Sequence, residues 1–288
     1  MIERTEYMSL LEKWRDKKII KVVTGIRRCG KSSLLRMFRE KLLAEGVSEN
    51  QVQEFNFEDL DNEPFLDYKV LYSHVKKNLC NGKMNYLFFD EIQMVDGFQK
   101  AIDSLFLLDN VDIYVTGSNA YLLSGEISTL LTGRYVEIKL FPFSFNEYLQ
   151  AMPSDMGIET AYREYIEKSS FPYVLQIRND REMVREYLAG LYNTIVLKDV
   201  VSRRKITDVM MLESVVRFLA DNIGNISVIK RISDTMTSLG RKITSHTVEN
   251  YISALTDSYI FYPVQRYDAK GKQLLKTGQK YYLADVGL

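Results

Sequence analysis

The sequence predicts an α/β fold in which a parallel five-stranded sheet is flanked by helices, and three observations lead to this prediction. A β-branched run at 18–24 precedes a glycine-containing loop and then an apolar-periodic helix. A fully apolar run at 86–89 is typical of a central parallel strand that is covered on both faces. Two later runs, at 111–116 and 136–140, predict further strands. A helical lid and a smaller winged-helix (α+β) domain are expected to follow the sheet.

The loop after the first strand follows the pattern G-x-x-x-x-G-K-[ST], which is typical of a phosphate-binding loop. Glycine permits backbone conformations that let successive N–H groups turn toward an anion at a helix start. Lys31 is expected between the β- and γ-phosphates, with the Ser32 hydroxyl on Mg²⁺ and Ser33 near the α-phosphate. The alternative is a glycine turn before an ordinary helix, and the flanking strand and helix argue against it. The predicted cofactors are ATP and Mg²⁺, and the predicted binding residues are Gly25, Ile26, Arg27, Arg28, Cys29, Gly30, Lys31, Ser32 and Ser33.

Two carboxylates, Asp90 and Glu91, follow the apolar strand at 86–89. They emerge at the carboxyl end of that strand, which is the edge where open α/β sheets hold their ligands. Asp90 is expected to hold Mg²⁺ through water, and Glu91 to orient and activate an attacking water molecule. The alternative is a solvated acidic turn after a core strand, which the phosphate loop in the same chain makes less attractive.

Polar residues also follow the strand at 111–116, where an amide or hydroxyl can hydrogen-bond the γ-phosphate or the attacking water. Asn119 is the candidate sensor, although Gly-Ser-Asn is also strong turn chemistry and the choice among Thr116, Ser118 and Asn119 stays open. Arg134 lies just before the last strand. A guanidinium there could neutralise transition-state charge in its own subunit or a neighbour's, but spacing alone favours a surface or capping arginine.

These motifs resemble those of the predicted AAA-type ATPases of archaea and bacteria, which combine an AAA_14 domain with a DUF4143-type carboxyl-terminal region. The similarity covers nearly the whole chain. The phosphate loop and the acidic pair are general to P-loop ATPases, whereas three later segments are more specific to this group. These segments are the Gly133-Arg134 element, the Phe-Pro-Phe-Ser segment at 141–144 and the Lys-Asp-Val stretch at 198–200. The resemblance implies an arginine-finger-like role for Arg134, so that both interpretations of this residue stay open.

The predicted domains are an ATPase core at 1–150, a helical lid at 151–205 and a winged-helix domain at 206–288. Helical apolar spacing at 161–166 and 184–191 supports the lid. The winged-helix domain is expected to end at the start of a truncated DUF4143-like region. No nuclease activity is predicted, since a single carboxylate there could not form a two-metal centre.

Three predicted helices and a hairpin suggest the winged helix in the last segment. Its third helix is expected over 247–255, with Ser245 as the N-terminal cap. In such a module the third helix can enter the major groove of DNA while a basic wing touches phosphates. The rival interpretation is a winged helix that serves protein contacts or interdomain packing. The candidate contacts to double-stranded DNA are Arg241, Lys242, Ser245, His246, Lys270 and Lys272.

Composition narrows the class of protein further. At 288 residues with 46% hydrophobic content, the chain can bury a sizeable core and is expected to form about two domains. The net charge is zero, yet residues 201–288 carry 13 basic and 8 acidic side chains. Cys29 and Cys80 form no disulfide framework, which predicts a cytoplasmic location. No apolar stretch approaches the ~20 residues that a membrane span needs.

The sequence therefore predicts a Mg²⁺-dependent ATP-hydrolysing enzyme with Lys31, Glu91, Asn119 and Arg134 as catalytic residues. Hydrolysis is expected to switch the lid and the winged helix, with a homo-oligomer or a protein partner as further possibilities. One alternative is a slow-turnover switch that acts on a protein partner without binding DNA. The other is a small-molecule kinase with the same loop, although the Asp-Glu pair favours water as the acceptor.

Overall fold

The computed structural model describes residues 2–120, 131, 133–265 and 278–288. The chain divides into two compact units, Met1–Phe141 and Pro142–Leu288. Within these described ranges, no helix is long and apolar enough to cross a membrane.

The first unit is built on a five-stranded parallel sheet flanked by helices, which confirms the predicted fold class. The strands lie in the order β2-β3-β4-β1-β5, and each neighbouring pair is parallel. Their bounds are β1 (Ile20–Thr24), β2 (Val52–Asn56), β3 (Asn85–Asp90), β4 (Val111–Gly117) and β5 (Tyr135–Lys139). The helices are α1 (Thr5–Trp14), α2 (Lys31–Ala44), α3 (Tyr68–Lys77) and α4 (Phe98–Phe106), with 3₁₀ turns at Glu49–Gln51, Leu60–Leu66 and Ile92–Met94.

The pattern of buried residues shows how the helices cover the sheet. Every residue of β1, β3 and β4 is buried, because helices cover both faces of a parallel sheet. The two edge strands, β2 and β5, are each buried at a single position. In α4 the buried residues Phe98, Ala101, Ile102 and Leu105 recur at the three- and four-residue spacing of one helix face. This face packs into the core that the strands form.

The strand register places the predicted site residues at one edge of the sheet. Thr24 at the end of β1 pairs with Gly117 at the end of β4, and Phe89 of β3 pairs with Val115 of β4. Asp90, one residue further along β3, therefore lies beside Thr116. The carboxyl ends of the three central strands meet at this edge, where open α/β sheets hold their ligands.

A buried polar cluster lies nearer the amino ends of the same strands. Lys21 of β1 forms an ion pair with Asp112 of β4, and both side chains are almost completely buried. Asp112 Oδ2 accepts hydrogen bonds from the Tyr114 hydroxyl at 2.8 Å and from the Asp16 amide at 2.9 Å. The Tyr86 hydroxyl donates to Asp16 Oδ1 at 2.9 Å. These hydrogen bonds stabilise the Lys21–Asp112 ion pair, whose burial would otherwise cost free energy.

The second unit is mostly helical. Ser144 begins its first helix with a capping box, since its hydroxyl accepts from the Glu147 amide and Glu147 Oε2 accepts from the Ser144 amide. A π-helical segment, Ile195–Ser202, directly follows the helix Arg181–Thr194. The helices are α5 (Phe145–Gln150), α6 (Ile158–Glu167), α7 (Val174–Ile177), α8 (Arg181–Thr194), α9 (Val209–Asp221), α10 (Ile229–Ser238) and α11 (Ser245–Asp257).

Two short strands complete this unit, β6 (Phe261–Val264) and β7 (Lys280–Leu283), and they pair antiparallel. An isolated antiparallel bridge joins Ser227 and Gln279. The three helices predicted in the last segment are thus α9, α10 and α11, the third of them expected over 247–255.

The predicted cap of α11 is wrong by one residue. Thr244 is the N-cap, because its side-chain oxygen accepts from the Thr247 amide at 3.1 Å. Ser245 is instead the first helical residue, and its hydroxyl lies 2.9 Å from the Ser233 hydroxyl of α10. Both residues are good caps by type, so the sequence alone did not separate them.

Candidate nucleotide site

The predicted phosphate loop connects β1 to α2, and its two glycines have backbone conformations that disfavour side chains. Gly25 has φ +148°, and a Cβ on it would lie 2.1 Å from the carbonyl oxygen of Leu140. Gly30 has φ +104° and is the N-cap of α2. The loop therefore needs glycine at both ends, and it presents the positively polarised start of a 14-residue helix.

Lys31 is the first residue of α2, and its side chain folds back over the loop. Its Nζ donates to the carbonyl oxygens of Gly25 at 3.2 Å and Ile26 at 3.4 Å. The same ammonium lies 3.6 Å from Glu91 Oε1. Since Lys31 is only 5% exposed, its charge acts in surroundings that water screens weakly.

The middle of the loop consists of two arginines and two buried apolar residues. Arg28 has φ +67°, which is uncommon outside glycine. Arg27 forms an ion pair of 3.2 Å with Glu58. Ile26 and Cys29 are fully buried, and burial raises the pKa of the Cys29 thiol. Cys29 thus serves as a small packed side chain in this loop.

Asp90 is oriented by hydroxyl groups from two neighbouring elements. Thr116 of β4 donates to Asp90 Oδ1, and Ser32 of α2 also hydrogen-bonds the carboxylate. Burial raises the pKa of Asp90, and these two hydrogen bonds offset the increase only in part. The sequence-predicted metal residues, Ser32 and Asp90, are therefore adjacent in the structure.

Glu91 turns away from the strand direction because its backbone is left-handed, with φ +53°. Its amide donates to the Thr116 hydroxyl at 2.9 Å, and its carboxylate accepts a hydrogen bond from Gln93. Burial acts to raise the pKa of Glu91, but the Lys31 ammonium and the Gln93 amide outweigh it and lower the pKa below its usual value. Glu91 is thus held as a carboxylate next to the loop.

The three candidate sensor residues at the end of β4 differ in their bonding. Thr116 is committed to Asp90 and to the Glu91 amide. Asn119 is 3% exposed. Ser118 is 1% exposed; its hydroxyl makes no hydrogen bond of good geometry with the described residues, but it lies near enough to the Glu91 carboxylate to help lower the pKa of Glu91. A poorly bonded buried polar group is costly in a folded protein, so Ser118 is a group at this edge that a ligand can satisfy, as is the Gln93 side-chain oxygen.

Arg134 lies at the opposite edge of the sheet. The next residue, Tyr135, pairs with Ile20 at the start of β1, and the Ile20 amide donates to the Arg134 carbonyl at 2.8 Å. The length of β1, roughly 13 Å, separates this point from the phosphate loop. The half-exposed guanidinium forms an ion pair with Asp103. The structure therefore does not bring Arg134 to the site of its own subunit.

The structure does bring together Lys31, Ser32, Asp90 and Glu91, with Ser118 beside them. Sequence reasoning missed Gln93, which touches Glu91, and Arg4, which touches the loop. Gln93 could have been found only as a polar residue two positions after the acidic pair.

The donor set suits Mg²⁺ bound together with phosphate. In the part of the chain that the structure describes, no three His, Cys, Asp or Glu side chains are grouped as metal ligands. Mg²⁺ is commonly bound by one or two protein oxygens, with substrate phosphates and water completing the octahedron. The Ser32 hydroxyl and the Asp90 carboxylate match that requirement.

Comparisons with known proteins identify the family of the chain. A family model described as an AAA domain matches residues 17–149, and one described as a domain of unknown function (DUF8612) matches residues 159–288. An uncharacterized protein of Haemophilus influenzae is 38% identical over 292 residues, which covers 100% of this chain and 72% of the relative. An uncharacterized protein of Methanocaldococcus jannaschii is 26% identical over 283 residues, which covers 92% of this chain and 60% of the relative.

The chain belongs to the AAA-type ATPase family. Its structure is similar to that of the Walker-type ATPase of Pyrococcus abyssi, with a TM-score of 0.64 at 18% identity, over 100% of this chain and 94% of that one. This similarity shows a shared P-loop ATPase fold. The carboxyl-terminal half matches DUF8612 and not the expected DUF4143 type, so that detail of the predicted resemblance is corrected.

Proposed function

We propose that this protein binds ATP with Mg²⁺ and hydrolyses it. The observation that carries the proposal is the convergence of Lys31, Ser32, Asp90 and Glu91 at one edge of the sheet. Lys31 and Ser32 start a helix behind a glycine loop, whereas Asp90 ends a central strand and Glu91 follows it. Separate parts of the chain thus supply a phosphate cradle, a metal ligand pair and a general base.

The loop and α2 would hold the phosphates. The backbone N–H groups between Gly25 and Lys31 bind phosphate oxygens, and the Lys31 ammonium moves from the loop carbonyls to the β- and γ-phosphates. Ser32 and Asp90 would hold Mg²⁺, which neutralises charge on the phosphate oxygens when it is bound. The raised pKa of Asp90 fits a carboxylate whose natural partner is a cation.

Glu91 would orient the attacking water and accept its proton. Its lowered pKa keeps it ionised near neutral pH, as a base must be. In the nucleotide complex, the phosphates would compete for the Lys31 ammonium that now stabilises the Glu91 carboxylate. Ser118 or Asn119 would then donate to the γ-phosphate or to the water, and the poor hydrogen bonding of its hydroxyl favours Ser118.

Arg134 is proposed to act on a neighbouring subunit in a homo-oligomer. Its place near the start of β1, roughly 13 Å from the phosphate loop, argues against contact with its own nucleotide, and its half-exposed guanidinium could reach another chain. Asp103 would hold the side chain until that contact forms.

The second unit is proposed to respond to ATP hydrolysis by contacting a macromolecular partner. Three helices and the β6–β7 pair support a winged helix, and the first turn of α11 exposes Ser245 and His246. Arg241 and Lys242 precede this helix and are exposed as well. Contact with double-stranded DNA through this surface is the proposed role, and a protein partner is its rival. Lys270 and Lys272, the predicted wing contacts, lie outside the described residues.

Phosphate release by the purified chain tests the function. We expect turnover that needs Mg²⁺ and no added acceptor, which would remove the kinase alternative. Glu91→Gln should bind ATP while losing turnover by about 10²- to 10⁴-fold, the usual contribution of a general base. Glu54→Gln, on an edge strand, is the matched control and should turn over like the parent. Retained activity in Glu91→Gln would overturn the proposed role.

ATP turnover with and without double-stranded DNA separates the two proposed roles of the second unit, which are contact with DNA and contact with a protein partner. Stimulation by DNA that Lys242→Ala weakens would support the winged-helix proposal. Slow turnover that DNA leaves unchanged would favour a regulatory switch acting on a protein partner.

A further inference from the structure

Arg4 is a buried arginine that contacts the phosphate loop from outside the loop motif. It is only 3% exposed. Its Nη1 donates to the carbonyl oxygen of Cys29 at 3.2 Å, and its Nη2 donates to the carbonyl oxygen of Phe141 at 2.8 Å. The guanidinium also lies over the Tyr7 ring, 4.8 Å from the centroid. One side chain thus joins the loop to the last residue of the first unit.

The segment that ends the first unit touches the loop at a second point. The Leu140 amide donates to the Thr24 carbonyl at 2.7 Å, and the Leu140 carbonyl lies so close to Gly25 that a Cβ there would overlap it. Leu140 itself is fully buried. Because protein interiors are close-packed, a change in the loop backbone must be shared by this segment.

Two residues, Phe141 and Phe143, flank Pro142, and each is anchored by a hydrogen bond to its backbone. On the first-unit side, Phe141 is held through its carbonyl by Arg4. On the second-unit side, the Phe143 amide donates to the Ser170 carbonyl at 2.9 Å. Proline fixes φ near −65°, so the residue between the anchors is stiff. Each of these hydrogen bonds lies within one unit, and the chain passes directly from one anchor to the other.

The second anchor belongs to a buried network. The Ser170 amide donates to Asp285 Oδ2 at 2.7 Å, and the Ser170 hydroxyl donates to the same oxygen. Asp285 is 5% exposed, and its Oδ1 accepts from the Gly287 amide at 2.8 Å. A displacement of Phe143 is therefore passed to the buried hydrogen-bond network of Ser170 and Asp285.

We propose that Arg4 is a positioning residue that couples nucleotide occupancy of the phosphate loop to the junction at Pro142. The inference rests on the proposed function, because phosphate entering the loop is the event that is transmitted. Phosphate draws the loop N–H groups inward, which moves the Cys29 carbonyl and, through the guanidinium, Phe141. A planar guanidinium holds its two donors at a fixed mutual angle, which an ammonium does not.

Hydrogen exchange of the full chain, with and without Mg²⁺ and a non-hydrolysable ATP analogue, tests the coupling. In the parent chain, the nucleotide should slow exchange about threefold or more in peptides covering 143–150 and 165–172. Arg4→Lys keeps the charge but not the fixed geometry, and it should lose this response while still binding the analogue. Calorimetry on the same samples measures binding.

Pro142→Gly tests the same coupling without touching Arg4 or the loop. It should bind the analogue like the parent and lose the exchange response, so the test survives if Arg4→Lys fails to fold. Pro153→Gly, in the connection between α5 and α6, is the matched control and should keep the response. Bound analogue without any exchange response in the parent, or a full response in Pro142→Gly, overturns the coupling alone. Absence of binding in the parent removes both the coupling and the proposed function.

Discussion

The hydroxyl of Thr116 donates to the carboxylate of Asp90, so β4, which leads into the candidate sensor residues, also orients the candidate metal residue of the neighbouring β3. The same hydroxyl accepts from the Glu91 amide at 2.9 Å. One side chain of β4 thereby fixes both positions of the acidic pair.

Thr116→Val is expected to weaken both the fold and the metal site. Valine has nearly the same shape, but it leaves the Glu91 amide and one Asp90 oxygen without a partner, which costs about 1–3 kcal/mol in a buried site. The free energy of unfolding in urea should fall by that amount, and turnover should need more Mg²⁺. Thr237→Val, on an exposed helix face, should change neither quantity. Parent-like stability and Mg²⁺ dependence in Thr116→Val would show that this hydroxyl does not orient the site.

Ser118→Ala should separate activity from stability. The Ser118 hydroxyl makes only a weak interaction with the Glu91 carboxylate, so its removal should change the free energy of unfolding by less than about 1 kcal/mol. Turnover should fall roughly tenfold or more, since one transition-state hydrogen bond is lost. Urea unfolding and phosphate release on the same preparation check both expectations. Unchanged turnover would assign the sensor role to Asn119, which Asn119→Ala then tests.

Mixing two inactive variants tests the proposed action of Arg134 in trans. Arg134→Ala supplies an intact Glu91 site, and Glu91→Gln supplies an intact arginine, so mixed oligomers should regain some activity that neither variant has alone. Asp103→Asn frees the guanidinium from its ion pair and should keep activity, which serves as the control. No recovery at any mixing ratio would count against a site shared between subunits.

Tyr86 gives the stability an alkaline pH dependence. Burial and the hydrogen bond to Asp16 raise the pKa of Tyr86 to about 12. A group with a raised pKa stabilises the fold fully below its unfolded pKa, about 10 for tyrosine, and this contribution is lost as pH rises through the folded value. Tyr86→Phe should therefore show a shallower fall in the free energy of unfolding across that range. Tyr162→Phe is the control, and identical slopes for Tyr86→Phe and the parent would contradict the expectation.

Local chemistry made much of the fold and site predictable. The β-branched run, the glycine loop and the apolar run before Asp90 each specify their own conformation within a few residues, and the strands and the loop formed where they were expected. The separation of the second unit into a lid and a winged helix stays a prediction.

Non-local relationships could not be predicted in the same way. Arg4 contacts backbone carbonyls 25 and 137 positions away, and no spacing rule marks such a partner. The sequence likewise left open whether Arg134 faces its own nucleotide, because strand order, and not distance along the chain, places it beside Ile20.

The central claim is that Lys31 and the glycine loop hold the phosphates of ATP. Titration calorimetry in Mg²⁺ buffer tests it most directly. We predict saturable heat for ATP in the parent and an affinity lower by about 10- to 100-fold in Lys31→Ala, since a charge-assisted hydrogen bond contributes about 1.5–3 kcal/mol. Lys18→Ala, at the opposite edge of the sheet, should bind like the parent. No heat for ATP or GTP in the parent, or equal affinity in Lys31→Ala, would contradict the account.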